Sequence, residues 1–114
     1  KKTHSQTNRR PKMIHVIAEI EINEDSREAF LEEFTKVVPL VLKEQGCIEY
    51  GATIDADTGI DRQAPPRNNT VTIVEKWSGT EALEAHLEAE HMAAYRERVT
   101  DLVAGATLRI LQPA

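Results

Sequence analysis

The chain has 114 residues, 40% of them hydrophobic and 29% charged, which is enough polypeptide for one globular domain around a single core. No apolar run approaches the roughly 20 residues of a membrane-spanning helix, and a single Cys excludes a disulfide framework and a Cys-built zinc site. The net charge of −5 is unevenly spread: residues 1–12 hold Lys1, Lys2, Arg9, Arg10 and Lys12 and no acid, leaving 9 Lys and Arg against 19 Asp and Glu, a charge of −10, on residues 13–114.

The basic arm lacks the apolar stretch of a secretory signal and reads as a disordered extension. The patterned domain is residues 13–114. A strongly negative body repels phosphate, and two Phe, two Tyr and one Trp are too few for a single-strand stacking platform. Nucleic acid and membrane are therefore not expected partners, and the expected location is the cytoplasm.

Ile14, Val16, Ala18, Ile20 and Ile22 alternate with His15, Glu19 and Glu21. This period of two predicts a strand with one apolar face, with Ile17 on the other. Asp25 and Glu28 stand at capping-box spacing. Phe30, Phe34, Val37, Val38 and Val41 then recur at helical spacing, predicting a helix from about Ser26 to Glu44, kinked at Pro39 and stopped by Gly46. Ile48, Tyr50, Ala52 and Ile54 mark a second strand. Residues 55–69, rich in Pro, Asn and Asp, form a loop long enough to be a lid, a binding loop or disordered. The β-branched run Thr70–Trp77 is a third strand. Ser78 and Glu81 suggest a second capping box, ahead of a helical pattern through Leu83, His86, Leu87, Met92, Tyr95, Val99 and Val103 that Gly105 ends. Leu108 and Ile110 set a short last strand.

This β-α-β-β-α-β order, with right-handed crossovers, predicts the ferredoxin-like α+β sandwich: an antiparallel sheet with its helices on one face. Ile17, Val74 and Leu111 fall on the other face. So small a domain gains by burying a half-apolar sheet face, so a homodimer packed sheet to sheet is expected.

Reactive side chains concentrate in Glu75–Arg96: Glu75, Trp77, His86, His91, Tyr95 and Arg96. In one unbroken helix His86 and His91 point about 140° apart at 100° per residue. They converge only if the helix breaks near Ala89-Glu90, and the apolar faces before Glu88 and after His91 are out of phase, as a break requires. An H-E-x-x-H pair, a G-x-S-x-G elbow and a G-x-G-x-x-G turn are absent, so zinc, a serine nucleophile and a dinucleotide are not indicated. General acid/base chemistry at His86 or His91 competes with ordinary core roles, since histidine titrates near neutrality. Trp77, Tyr50 and Tyr95 read equally as packing residues, and Cys47 as a small buried hydrophobe. Glu75, a carboxylate on the face of Val71 and Ile73, needs an Arg partner or belongs to a site wall.

The segments MIHVIAEI, VPLVLKEQGCIEY, TIVEKWSGTEALEAHLEAEHMAAY and LRILQPA, with the spacing Glu75-x-Trp77…His86-x-x-x-x-His91, resemble the antibiotic biosynthesis monooxygenase superfamily and, within it, small bacterial quinol monooxygenases. The resemblance runs from Met13 to Ala114. It implies a ferredoxin-like homodimer with a pocket between sheet and helices, and oxygenation of a quinol or polycyclic phenol by O2 without metal, haem or flavin. It further implies His86 or His91 as base, a substrate held among Tyr50, Glu75, Trp77, Met92, Tyr95 and Arg96, and a loop with Arg62 and Arg67 closing over the site. Relatives often carry Pro just before the second His, where this chain has Glu90. A non-catalytic dimeric binder of aromatic metabolites and an isomerase of the same fold are the alternative readings.

Overall fold

The computed structural model describes residues 12–114, so the arm predicted to be disordered lies outside the described residues apart from Lys12. Seven elements follow in order: β1 (Ile14–Ile22), α1 (Arg27–Leu42), β2 (Cys47–Thr53), β3 (Thr70–Trp77), α2 (Thr80–Leu87), α3 (Glu90–Val99) and β4 (Val103–Leu111), with a single 3₁₀ turn, Thr100–Leu102, ahead of β4. The strands form one sheet in the order β2-β3-β1-β4, and every neighbouring pair is antiparallel. This is the predicted ferredoxin-like α+β arrangement. No described helix is long and apolar enough to cross a membrane.

Strand alternation puts Val16, Val71 and Trp77 under the helices, where they meet Phe30, Phe34 and Val41 of α1 in a buried cluster. Each such side chain contributes about 1.5–3 kcal/mol on burial. The register pairs Ile17 with Val74 and Arg109, and His15 with Leu111, on the opposite face. Ile17, Val74 and Leu111 therefore share that face as expected.

Three local expectations are corrected. Neither capping box forms: Ser26 and Gly79 occupy the N-cap positions of α1 and α2 without a side-chain cap bond. Asp25 instead takes a left-handed turn at φ 66°. Gly105 does not end a helix but lies within β4, which is a nine-residue strand rather than a short one, because it pairs with β1 from His15 to Ile22. The second helical pattern is two helices, as its out-of-phase apolar faces require.

The break between α2 and α3 follows from burial. Leu83 and Met92 are nine residues apart, so a continuous helix would aim them about 180° apart, yet both are buried against the same sheet. Extended backbone at Ala89, ψ 144°, resets the phase. The amides of Met92 and Ala93 then bond to the Ala89 carbonyl to start α3. Across the break, the Arg96 guanidinium donates to the carbonyl of Leu87 at the end of α2, satisfying an acceptor that helix termination orphans.

Candidate active site

Between the sheet and the helices lies a cavity of about 420 Å³ with mostly apolar walls, among them Ala18, Ile20, Phe30 and Ile73. Its polar side chains are Tyr50 on β2, Glu75 on β3, His86 on α2, Tyr95 and Arg96 on α3, and Thr100 of the 3₁₀ turn; Met92 and Val99 complete the α3 wall. On the far side the helices stop short of β4, so Leu108 lines the cavity while remaining about half exposed. The cavity opens at that edge.

Two residues predicted to contact substrate do not line it. Trp77 is fully buried behind Glu75 and donates its indole N–H to Glu75 Oε1 at 2.9 Å. His91 lies on the outer side of the carboxylate of Glu44. The structure nevertheless brings the two histidines together. His86 Nδ1 is 3.1 Å from both Glu44 oxygens, and His91 Nε2 is 2.5 Å from Oε2.

Convergence of the histidines depends on the turn after α1. Gly46 has φ 85°, a left-handed conformation that costs a residue with a Cβ roughly 1–2 kcal/mol. A Cβ there would stand 2.5 Å from Ala82 Cβ and 2.6 Å from Ser78 Oγ. Ser78 N–H also bonds the Gly46 carbonyl at 2.8 Å. Only glycine lets the α1 end approach the start of α2 closely enough for Glu44 to reach His86.

The electrostatics follow from burial. Desolvation pushes the Glu75 carboxyl up to about 7 against the opposing pull of the Trp77 hydrogen bond, with the Glu44 charge adding to the rise. Burial holds His86 below its ordinary value although Glu44 pulls the other way. Burial also raises the Tyr50 and Tyr95 phenols well above the ordinary 10, so both are neutral hydroxyl donors at neutral pH. The Cys47 thiol is raised by burial and by the Glu44 and Glu75 carboxylates, which keeps it protonated and unreactive. Aromatic packing locks the rings: Trp77 and His86 centroids are 4.6 Å apart, Tyr50 and His86 5.3 Å, and Phe34 stacks on Tyr50 at 5.3 Å. The cavity thus offers a buried imidazole, a carboxyl poised to hold or release a proton near neutrality, and two phenol donors around mostly apolar space.

The family model of the antibiotic biosynthesis monooxygenases matches residues 13–98. The chain belongs to this family. A relative from Escherichia coli strain K12, the probable quinol monooxygenase YgiN, is 42% identical over 103 residues, covering 89% of this chain and 98% of the relative. Among solved structures, a conserved protein from Bacteroides thetaiotaomicron superposes with a TM-score of 0.74 at 26% identity, over 90% of this chain and 98% of that one. A conserved protein from Methanosarcina mazei reaches 0.76 at 19% identity, over 90% and 94%, and shares the fold.

In this family member the most informative side chain is one that sequence reasoning missed. Glu44 stands 42 residues from His86 and 47 from His91, so no local spacing announces it. One signal was available: an acid just past a helix C-terminus opposes the helix dipole, and the last turn of α1 has no basic residue to offset it. The loop arginines do not serve the site. Arg67 forks onto Asp55 at 2.8 and 3.1 Å and reaches Glu19, on the open sheet face, at 3.4 Å. Neither Arg67 nor Arg62 lines the cavity. Arg67 ties the two ends of the long loop together. Among the described residues no group of three or more His, Cys, Asp or Glu is arranged to hold a metal ion.

Proposed function

We propose that the protein is a monooxygenase that oxidises a quinol or related polycyclic phenol with O2, without a cofactor, and that it works as a homodimer. The observation carrying this reading is a buried imidazole and a carboxyl titrating near neutrality in one mostly apolar cavity. Family membership and the relative's name support the same class.

Removing a phenolic proton makes a quinol electron-rich enough to reduce O2 itself. The protein therefore has to supply a base, exclude water and hold the developing charge. His86 lines the cavity and takes the proton at Nε2, the nitrogen not engaged by Glu44. The Tyr50 and Tyr95 hydroxyls donate to the substrate oxygens. Glu75, protonated in part at neutral pH, delivers a proton to the reduced oxygen. One oxygen atom enters the ring, the other leaves as water, and the quinol supplies the electrons and hydrogens for both. His91 has no direct part, because it does not line the cavity. The sheet face around Ile17, Val74 and Leu111 is the dimer surface.

Oxygen uptake with a panel of one-, two- and three-ring quinols tests the reading. Uptake by the wild type with a two-ring quinol, reduced about 10²–10⁴-fold in His86→Ala, is expected for loss of a general base. Ligand binding with no oxygen uptake across the panel would instead make the protein a carrier of aromatic metabolites.

A further inference from the structure

Three side chains from three different elements meet outside the cavity wall. Glu44 follows α1, His86 ends α2 and His91 begins α3. Their side chains are 14%, 2% and 27% exposed, so the carboxylate sits between a buried imidazole and a partly solvated one. An ionised carboxylate only accepts hydrogen bonds. Both histidines therefore donate to Glu44, His86 through Nδ1 and His91 through Nε2. This leaves His86 Nε2 without a proton, and the hydrogen bonds of His86 among the described residues are all made through Nδ1.

We propose that Glu44 is a positioning residue that fixes His86 as the Nδ1–H tautomer and holds the imidazolium formed when Nε2 takes a substrate proton, and that His91 braces Glu44 in place. The inference rests on the reading of His86 as base. In the step itself the substrate O–H bond breaks and a His86 Nε2–H bond forms. The Nδ1–H stays on His86, facing an ionised Glu44. The same Nε2 proton later passes to the reduced oxygen, which returns His86 to its starting tautomer with no net proton gained or lost. Nothing else near His86 among the described residues does this work. Glu75 is bonded to Trp77, Arg96 to the Leu87 carbonyl, and the Cys47 thiol faces the Glu49 carbonyl. Tyr50 and Trp77 touch the imidazole through their rings.

The decisive variant is Glu44→Gln, which keeps size and shape. Its amide oxygen at the Oε2 position can still accept from both histidines, but it is uncharged, and the NH2 at the Oε1 position stands 3.1 Å from His86 Nδ1. Donor then faces donor, which favours the opposite His86 tautomer, with the proton on Nε2. In the serine-protease triad the equivalent amide substitution costs about 10⁴ in kcat through the wrong tautomer.

Two measurements decide the matter. Nitrogen-15 NMR of the histidines in the unliganded protein should show His86 as Nδ1–H in the wild type, still so in Glu44→Asp, and altered in Glu44→Gln. Finding Nε2–H in the wild type, or no change in Glu44→Gln, would overturn the proposal. Oxygen uptake with a two-ring quinol should show kcat lowered about 10²–10⁴-fold in Glu44→Gln with KM nearly unchanged, and a smaller loss in His91→Gln. A Glu44→Gln kcat equal to wild type would also overturn it. If the wild type takes up no oxygen, the base assignment fails, while the NMR result still shows whether Glu44 sets the His86 tautomer.

Discussion

Trp77 donates its indole N–H to Glu75 Oε1 at 2.9 Å, two positions away on the same inward face of β3. The pair is the structure's answer to a local conflict: strand alternation delivers a carboxylate into an apolar wall where an isolated charge is costly. The indole satisfies one oxygen and offsets part of the desolvation, so Glu75 titrates near neutrality, lower than burial alone would place it.

Glu75 should make stability depend on pH. Its folded value of about 7 lies above the ordinary 4.5, so between those limits the native state holds more protons than the unfolded one. The contribution is fully present below about pH 4.5, is lost as pH rises to about 7, and is flat beyond. The loss is on the order of 3 kcal/mol. Glu75→Gln keeps an acceptor for Trp77 and should abolish this slope. His86, held low by burial, destabilises in the opposite direction, on acidification, in both proteins. Urea unfolding of wild type and variant from acid to neutral pH isolates the Glu75 part, and parallel profiles would contradict it.

Trp77→Phe should move the Glu75 titration upward. The substitution removes the hydrogen bond that lowers the Glu75 value and leaves a smaller ring where Trp77 was fully buried. A stability cost of about 1–3 kcal/mol is expected from the void and the unpartnered carboxyl. Carbon-13 NMR of the Glu75 carboxyl should show a midpoint above that of the wild type, and an unchanged midpoint would remove the indole's electrostatic role.

Two glycines with positive φ should respond differently to alanine. Gly59, at φ 74°, has nothing within 4 Å of an added Cβ, so Gly59→Ala should cost only backbone strain, about 1 kcal/mol. Gly46→Ala adds a clash with Ala82 and Ser78 and should cost about 2–4 kcal/mol. It should also carry Glu44 away from His86. Thermal unfolding of both variants, with the His86 tautomer read by NMR, checks the difference; equal costs would deny that close approach matters at Gly46.

The sheet face should hold two copies together. Ile17 pairs across the sheet with Val74, and Leu111 on the same face is 46% exposed. A charge at its centre, Ile17→Glu, should convert a wild-type dimer to monomer in sedimentation velocity while leaving the inward core intact. A monomeric wild type at micromolar concentration would refute the dimer.

Much of the architecture was legible in the residues because it rests on periodicity. The alternation of Ile14–Ile22, the 3.6-residue spacing of Phe30, Phe34, Val37 and Val41, and the β-branched run Thr70–Trp77 each report a face that must be buried, and the elements fall within a residue or two of where those patterns lie. The out-of-phase apolar faces around Ala89 likewise announced the break that brings His86 and His91 together. Local capping rules fared worse. Asp25 and Ser78 have the right spacing but do not cap, since Asp25 forms a turn and the Ser78 side chain lies beside Gly46.

The candidate site divides along the same line. His86, Glu75, Tyr50, Tyr95 and Arg96 could be singled out by residue type and pattern, Met92 as a site residue came from the family resemblance, and all six line one cavity. That Trp77 stands behind Glu75, that His91 faces outward, and that Arg67 serves the loop and not the cavity were settled only in three dimensions. Glu44 is the clearest case. Sequence by itself determined the strands, the helices and the faces they bury, because burial is read from spacing along one element. Tertiary structure alone decided which carboxylate meets the two histidines, because that contact joins three elements across 42 and 47 residues and depends on a glycine turn close enough to let them touch.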